Sequence, residues 1–183
     1  MRNLLVYFLL FSFGLNAQTK LVRTEGSKLF LNDSPYLIKG ICYHPVPKGK
    51  EKRSLETLEQ DIALMLEAGI NTIRVYEPVD DSAVLDQLHA AGIQLIVGFG
   101  YNQNGVYDIA SGTVLDYVKK YKDHPAILFW ELGNEYNYHP EWFGGDIATW
   151  YKALNSTAAA IQALDKNHPV ANAHGEIPTE EVL

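Results

Sequence analysis

Strand-like and helix-like segments alternate along most of this chain, and that alternation limits its fold more than any other feature. Apolar runs of strand character lie at Tyr36 to Tyr43, Asn71 to Tyr76, Ile93 to Phe99, Ala126 to Leu132 and Pro169 to Ala173. Between the first two, Leu55, Leu58, Ile62, Met65 and Leu66 recur at helical spacing, opened by Ser54 and closed by Ala68-Gly69. Helical segments are likewise predicted over Asp81 to Ala90, Gly112 to Tyr121 and Asp146 to Leu164. Strands that alternate with helices pair in parallel through crossover connections, so the pattern predicts a parallel sheet covered by helices. Lys28 to Leu31, ahead of the turn-forming run Asn32-Asp33-Ser34-Pro35, predicts a hairpin that feeds the first buried strand.

A parallel sheet can be an open doubly wound layer or a closed barrel. The open form carries a glycine-rich phosphate loop after its first strand. Here Tyr43 is followed by His44-Pro45-Val46-Pro47, and no Walker pattern occurs. Polar and aromatic residues instead gather where each strand ends: Tyr43 and His44, Arg74 and Tyr76, Tyr101 and Asn102, Asn134 and Glu135. A barrel brings all of these to one face, the C-terminal one. The expected fold is therefore α/β, a (β/α)8 TIM barrel preceded by a short β-hairpin.

Met1-Arg2, the apolar run Leu4 to Phe13 and the ending Leu15-Asn16-Ala17 have the order of a secretory signal peptide. The expected organisation is a leader over residues 1–17 and a barrel domain over 18–183, in a secreted or periplasmic protein. The apolar run is shorter than the roughly 20 residues of a membrane span, so no stable membrane insertion is expected after cleavage. A formal charge of −7 leaves no basic patch for nucleic acid. Cys42 is the only cysteine, which excludes an internal disulfide, and it is expected as a small buried apolar residue. The six histidines show no metal-ligand spacing, so neither a metal nor another cofactor is expected.

The most informative segment is Phe129-Trp130-Glu131-Leu132-Gly133-Asn134-Glu135, which follows Asp123-His124-Pro125-Ala126-Ile127-Leu128. It resembles strand four of the clan A retaining glycoside hydrolases, close to the family 2 and family 5 barrels. Leu37-Ile38-Lys39-Gly40 before Tyr43-His44, Ala68 to Arg74, and Leu85-Asp86 with Ala91-Gly92-Ile93 are similar to the approaches to strands one, two and three. The resemblance implies hydrolysis of a β-linked oligo- or polysaccharide by two carboxyl groups about 5–5.5 Å apart. It gives Glu135 the role of general acid/base and Asn134 a hydrogen bond to the sugar 2-hydroxyl. It places Arg74 beside the nucleophile, and His44, Tyr43, Tyr76 and Trp130 against the substrate.

The resemblance also puts the nucleophile, a second glutamate, at the end of a seventh strand. Removing 17 of the 183 residues leaves 166, with five strands, whereas a barrel takes about 250 residues. The expectation is thus the front portion of a glycosidase with its nucleophile beyond Leu183, inactive alone and prone to associate through open strand edges. Glu131 is expected outside the chemistry, because it precedes the turn and strand alternation sets it at a different depth from Glu135. Glu176 is expected to be an ordinary loop residue. The run Asn71 to Tyr76 with its following acidic stretch resembles the β-1,3-glucan-remodelling branch of the clan, which makes that glucan the favoured substrate. A β-glucan transglycosylase and an inactive carbohydrate-binding pseudoenzyme are the alternatives.

Overall fold

The computed structural model describes residues 21–177, so the expected leader peptide lies outside the described residues. Three short antiparallel strands come first: β1 (Val22–Glu25), β2 (Lys28–Leu31) and β3 (Ser34–Pro35). The turn between β2 and β3 falls on Asn32 and Asp33, both at positive φ, a conformation that Asn and Asp tolerate. The expected hairpin is present, but its outer strand is β1, and the first strand of the main sheet shortens to β4 (Gly40–Cys42).

The rest of the chain alternates as its apolar pattern requires. After β4 come α1 (Leu58–Glu67), β5 (Thr72–Val75), α2 (Ser82–Ala90), β6 (Gln94–Phe99) and α3 (Val114–Tyr121). Then follow β7 (Ile127–Asn134), α4 (Ile147–Leu164) and β8 (Val170–Ala173). Strands β4 to β8 are all parallel, and their spatial order is their sequence order. A doubly wound sheet reverses its order at a switch point; a barrel adds each strand beside the last. These five strands and four crossover helices have the arrangement of consecutive (β/α) units of a TIM barrel. Helices α2 and α4 begin at aspartates, Asp81 and Asp146, whose carboxylates accept the backbone N–H groups of Ala83 and Ala148. Helix α1 is capped at Thr57, three residues later than expected, and Ser54 lies in the loop before it.

The two faces of the sheet carry separate cores. Outward-pointing Ile73, Val75, Leu95, Val97, Phe99, Trp130 and Leu132 pack against the helices. Helix α3 meets them with Val114, Tyr117, Val118 and Tyr121, spaced to lie on one stripe. On the inner face, Ile96 and Leu128 pack with Val22, and Leu29, Leu31, Tyr36 and Phe129 surround them. The β1–β3 unit thereby closes the N-terminal end of the inner face. Tyr36 fixes it there by donating its hydroxyl to the Asn71 carbonyl at 3.0 Å, and Val22 N–H donates to the Asn167 carbonyl at 2.8 Å. With that end filled, the open end is the C-terminal one.

One ionic latch holds two of the C-terminal loops together. Asp80, before α2, accepts hydrogen bonds from Lys120 Nζ (2.6 Å), Tyr107 Oη (2.7 Å) and Tyr121 Oη (2.8 Å). The Lys120 ammonium foremost, then the two phenols, hold the Asp80 carboxyl at about 2, below its ordinary 3.8. A carboxyl whose value is depressed by folding stabilises the fold above its unfolded value and loses that contribution as pH falls through the folded one. Because the site is partly open to water, the effect is screened. Asp80→Asn should lower the melting temperature at neutral pH by roughly 2–5 °C. Melting curves of both proteins should converge as pH falls from about 5 to about 2.

Candidate active site

The polar cluster at the C-terminal face is built on an irregularity in β7. Leu132 pairs with Asn172 of β8, and Asn134 with Ala173, so Gly133 is an extra residue in the ladder, a β-bulge. In an unbroken strand, Glu131 and Asn134, three residues apart, would point to opposite faces. The bulge reverses the parity and brings both to the inner face. Gly133 sits at φ +74°, and a Cβ there would lie 2.6 Å from Trp150 Cζ2, so only glycine fits. One residue beyond Asn134, Glu135 adopts φ 56°, ψ 30°, a left-handed conformation that costs a side-chain-bearing residue energy and recurs at functional sites. Its N–H donates to the Ala173 carbonyl at 2.7 Å.

Arg74, at the end of β5, reaches this cluster across β6. The intervening position is Gly98, paired with Glu131, and a Cβ there would come within 2.5 Å of the Val75 carbonyl oxygen. The missing side chain leaves the path open. Arg74 Nε donates to both Glu131 oxygens at 2.8 and 3.0 Å, and Nη2 donates to Glu131 Oε1 as well. Nη2 also donates to Asn134 Oδ1 at 2.9 Å. The guanidinium lies over the Tyr76 ring, 4.6 Å from its centroid. Burial disfavours the charge on Arg74, but the hydrogen bonds and charge of Glu131 outweigh this, and its pKa rises.

Arg74, Tyr76, Gln103, Glu131, Asn134, Glu135, His139 and Trp142 line one cavity of about 220 Å³. Its wall beyond Glu135 consists of two 3-10 turns, Tyr136–Tyr138 and Pro140–Phe143. There the His139 ring stacks on Trp142 at 4.0 Å and 7°, and Trp142 remains 49% exposed. Glu141 accepts from His139 Nδ1 at 2.9 Å, which lowers the Glu141 carboxyl below its usual range. The wall is tied to the loop after β8: Gly175 N–H donates to Asn137 Oδ1 at 2.8 Å, and Tyr138 Oη donates to the Gly175 carbonyl at 2.5 Å. No group of three His, Cys, Asp or Glu suited to a metal ion occurs among the described residues.

An acidic side chain after a parallel strand, beside an amide held by an arginine, is consistent with several chemistries. Comparison with known proteins narrows them. Residues 22–178 match the family described as "Glycosyl hydrolases family 2, TIM barrel domain". The chain belongs to that family. A β-glucuronidase of Bacteroides fragilis is 28% identical over 143 residues, which cover 70% of this chain and 20% of that protein. A mannan endo-1,4-β-mannosidase of Aspergillus clavatus is 34% identical over 70 residues, 38% of this chain and 15% of that protein. Among solved structures, a β-galacturonidase from Eisenbergiella tayi bound to galacturonate superposes with a TM-score of 0.66 at 22% identity, over 86% of this chain and 29% of that one. The apo β-glucuronidase 3 of Bacteroides uniformis superposes at 0.69 and 17% identity, over 84% and 20%. The chain thus spans about a fifth of the length of the β-glucuronidase relative.

Within this family 2 barrel domain, the structure gathers Glu135, Asn134, Arg74 and Tyr76 at one cavity and sends other expected residues elsewhere. Trp130 is fully buried on the helix-facing side of β7, where its Nε1 donates to Asp165 Oδ2 at 2.7 Å, so it is not a substrate surface. Burial pushes the Asp165 carboxyl up, but hydrogen bonds from His168, the Asn167 N–H and Trp130 bring it below its ordinary value. Tyr43 is also a core residue: it points away from the cavity and donates its hydroxyl to Asp61 of α1 at 2.7 Å. His44 is exposed and stands edge-on to Tyr76 at 6.3 Å, outside the cavity lining. Cys42 is exposed rather than buried, because it shares the inner face with Arg74, whose Nη1 lies 3.8 Å from its Sγ. Two features escaped the sequence reading: the Glu131 contact to Arg74 and the Trp142–His139 pair. Gly133→Ala should destabilise the domain by roughly 2–4 kcal/mol, because it combines a left-handed backbone with a clash against Trp150. Urea unfolding monitored by tryptophan fluorescence would measure this loss.

Proposed function

We propose that the polypeptide carrying this domain is a retaining hydrolase of neutral β-linked glycans, with Glu135 as general acid/base. The observation that carries this reading is the placement of Glu135, raised by the bulge and its left-handed backbone onto the cavity wall beside Asn134. In the first step Glu135 gives its proton to the glycosidic oxygen as the bond to the sugar breaks; in the second it takes a proton from the attacking water. Asn134 meets the sugar 2-hydroxyl. Glu131 is no candidate for the nucleophile, since both its oxygens are held by Arg74 in a partly buried pair. The nucleophile is a second glutamate outside the described residues. Trp142, backed by His139, offers an exposed aromatic face to a sugar ring beside Glu135.

Charge supports a neutral substrate. Among the described residues lining the cavity, Arg74 is the only side chain with a permanent positive charge, and Glu131 neutralises it. A uronic-acid carboxylate would find no unpaired arginine or lysine among these lining residues. The similarity of Asn71 to Tyr76 and its acidic sequel to the β-1,3-glucan-remodelling branch makes β-1,3-glucan the substrate of choice within this class. The apolar N-terminal run supports an exported protein acting on an extracellular polysaccharide.

With the full-length protein, Glu135→Gln should lower turnover of unactivated β-glucosides by about 10²–10⁴-fold. Added azide should partly restore turnover of aryl glycosides with good leaving groups. The wild type should prefer β-glucosides to the matching β-glucuronides. Unchanged turnover in Glu135→Gln would overturn the acid/base assignment, and a preference for glucuronides would overturn the neutral substrate.

A further inference from the structure

A carboxamide has a donor end and an acceptor end, and which of them faces a ligand decides what it recognises. Asn134 Oδ1 is taken by Arg74 Nη2 at 2.9 Å. A guanidinium has no acceptor, so a reversed amide would set NH₂ against NH₂. The oxygen therefore belongs on the Arg74 side, and Nδ2 turns away from it. This orientation holds only while the guanidinium plane is fixed. Glu131 supplies that constraint with both oxygens, from a position only 7% exposed. The remaining partners of Arg74 are weak: a distant Cys42 sulfur and the face of Tyr76.

We infer that Glu131 is a positioning residue which, through Arg74, fixes the donor end of the Asn134 amide toward the cavity. The site then reads a ligand oxygen as an acceptor. Taken with the proposed function, on which this inference rests, Asn134 Nδ2 donates to the sugar 2-hydroxyl oxygen and leaves the hydroxyl proton free for another acceptor. Glu131 touches no substrate. Its identity nevertheless sets the response to the 2-position.

The test compares kcat/KM for aryl β-glucosides and their 2-deoxy counterparts in the full-length protein, each normalised to wild type. Glu131→Gln should reduce kcat/KM by about 10–100-fold on the hydroxylated substrate and by less than about threefold on the 2-deoxy one. Asn134→Asp, which keeps an acceptor toward Arg74 but removes the donor, should show the same selectivity. The double variant should lose no more than Asn134→Asp alone, and Glu131→Asp should recover part of the loss. Equal losses on both substrates, or additive losses in the double variant, would overturn the inference and reduce Glu131 to a structural ion pair. If Glu131→Gln does not fold, Glu131→Asp carries the test: a loss confined to the hydroxylated substrate is expected, and an equal loss on both substrates would overturn the inference. Glu135→Gln run in parallel separates the levels: if it still abolishes turnover, only the amide-orienting inference has failed.

Discussion

A buried carboxylate and a half-buried guanidinium are tolerable together and costly apart. Removing one partner of such a pair leaves an uncompensated charge with little water to receive it. Arg74 and Glu131 belong to strands that are not neighbours, so their contact depends on several backbone features at once. Gly98 keeps the crossing over β6 clear, the bulge at Gly133 sets the parity of the strand end, and Cys42 and Tyr76 flank the guanidinium. The pair in turn holds Asn134, whose successor is Glu135. The inner face of the sheet is thereby divided into two zones. At the β1–β3 end it is apolar and packed around Ile96 and Leu128, and at the other it is ionic.

The outer face follows a simpler rule. Residues at alternate positions of β5, β6 and β7 fill one continuous apolar layer beneath the helices, where each fully buried Leu, Ile or Val contributes about 1.5–3 kcal/mol relative to exposure. Trp130 and Asn167 bring polar atoms into this layer with Asp165 as their partner, whereas the buried indole N–H of Trp150 has none. The site therefore rests on a stiff base, and its strained elements, the glycine bulge and the left-handed Glu135, are held by that packing.

Strand and helix order was legible because hydrophobic periodicity survives in a single sequence. The barrel followed from what was absent after the first strand and from what gathered after the others. Trp130 and Tyr43 were misplaced although alternation already contained the answer: each is one step out of phase with the inward-facing residue beside it, Glu131 and Cys42 respectively. Glu131 keeps its expected place outside the chemistry, but its contact with Arg74 left no trace in the sequence. A period of two, counted through Gly133, puts Glu131 and Asn134 on opposite faces, and a bulge leaves no mark in a count of alternation. The glycine itself was the available signal, since an isolated glycine at a strand end often marks a bulge. Trp142 lies in the second 3-10 turn and His139 links the two turns, between Glu135 and Gly144, in a stretch without periodicity. Only its density of aromatic residues, bracketed by Pro140 and Gly144-Gly145, set it apart.

The wall that carries Glu135 is fastened to its neighbour at three points, through Ala173, Asn137 and Tyr138. The loops after β7 and β8 consequently form one mechanical body, although 37 to 38 residues of chain separate the partners at Gly175. Loops of a barrel are commonly treated as interchangeable attachments on a constant frame. Here they are not independent: a graft or an insertion after β8 also disturbs the contacts that set the posture of the carboxyl group beyond β7.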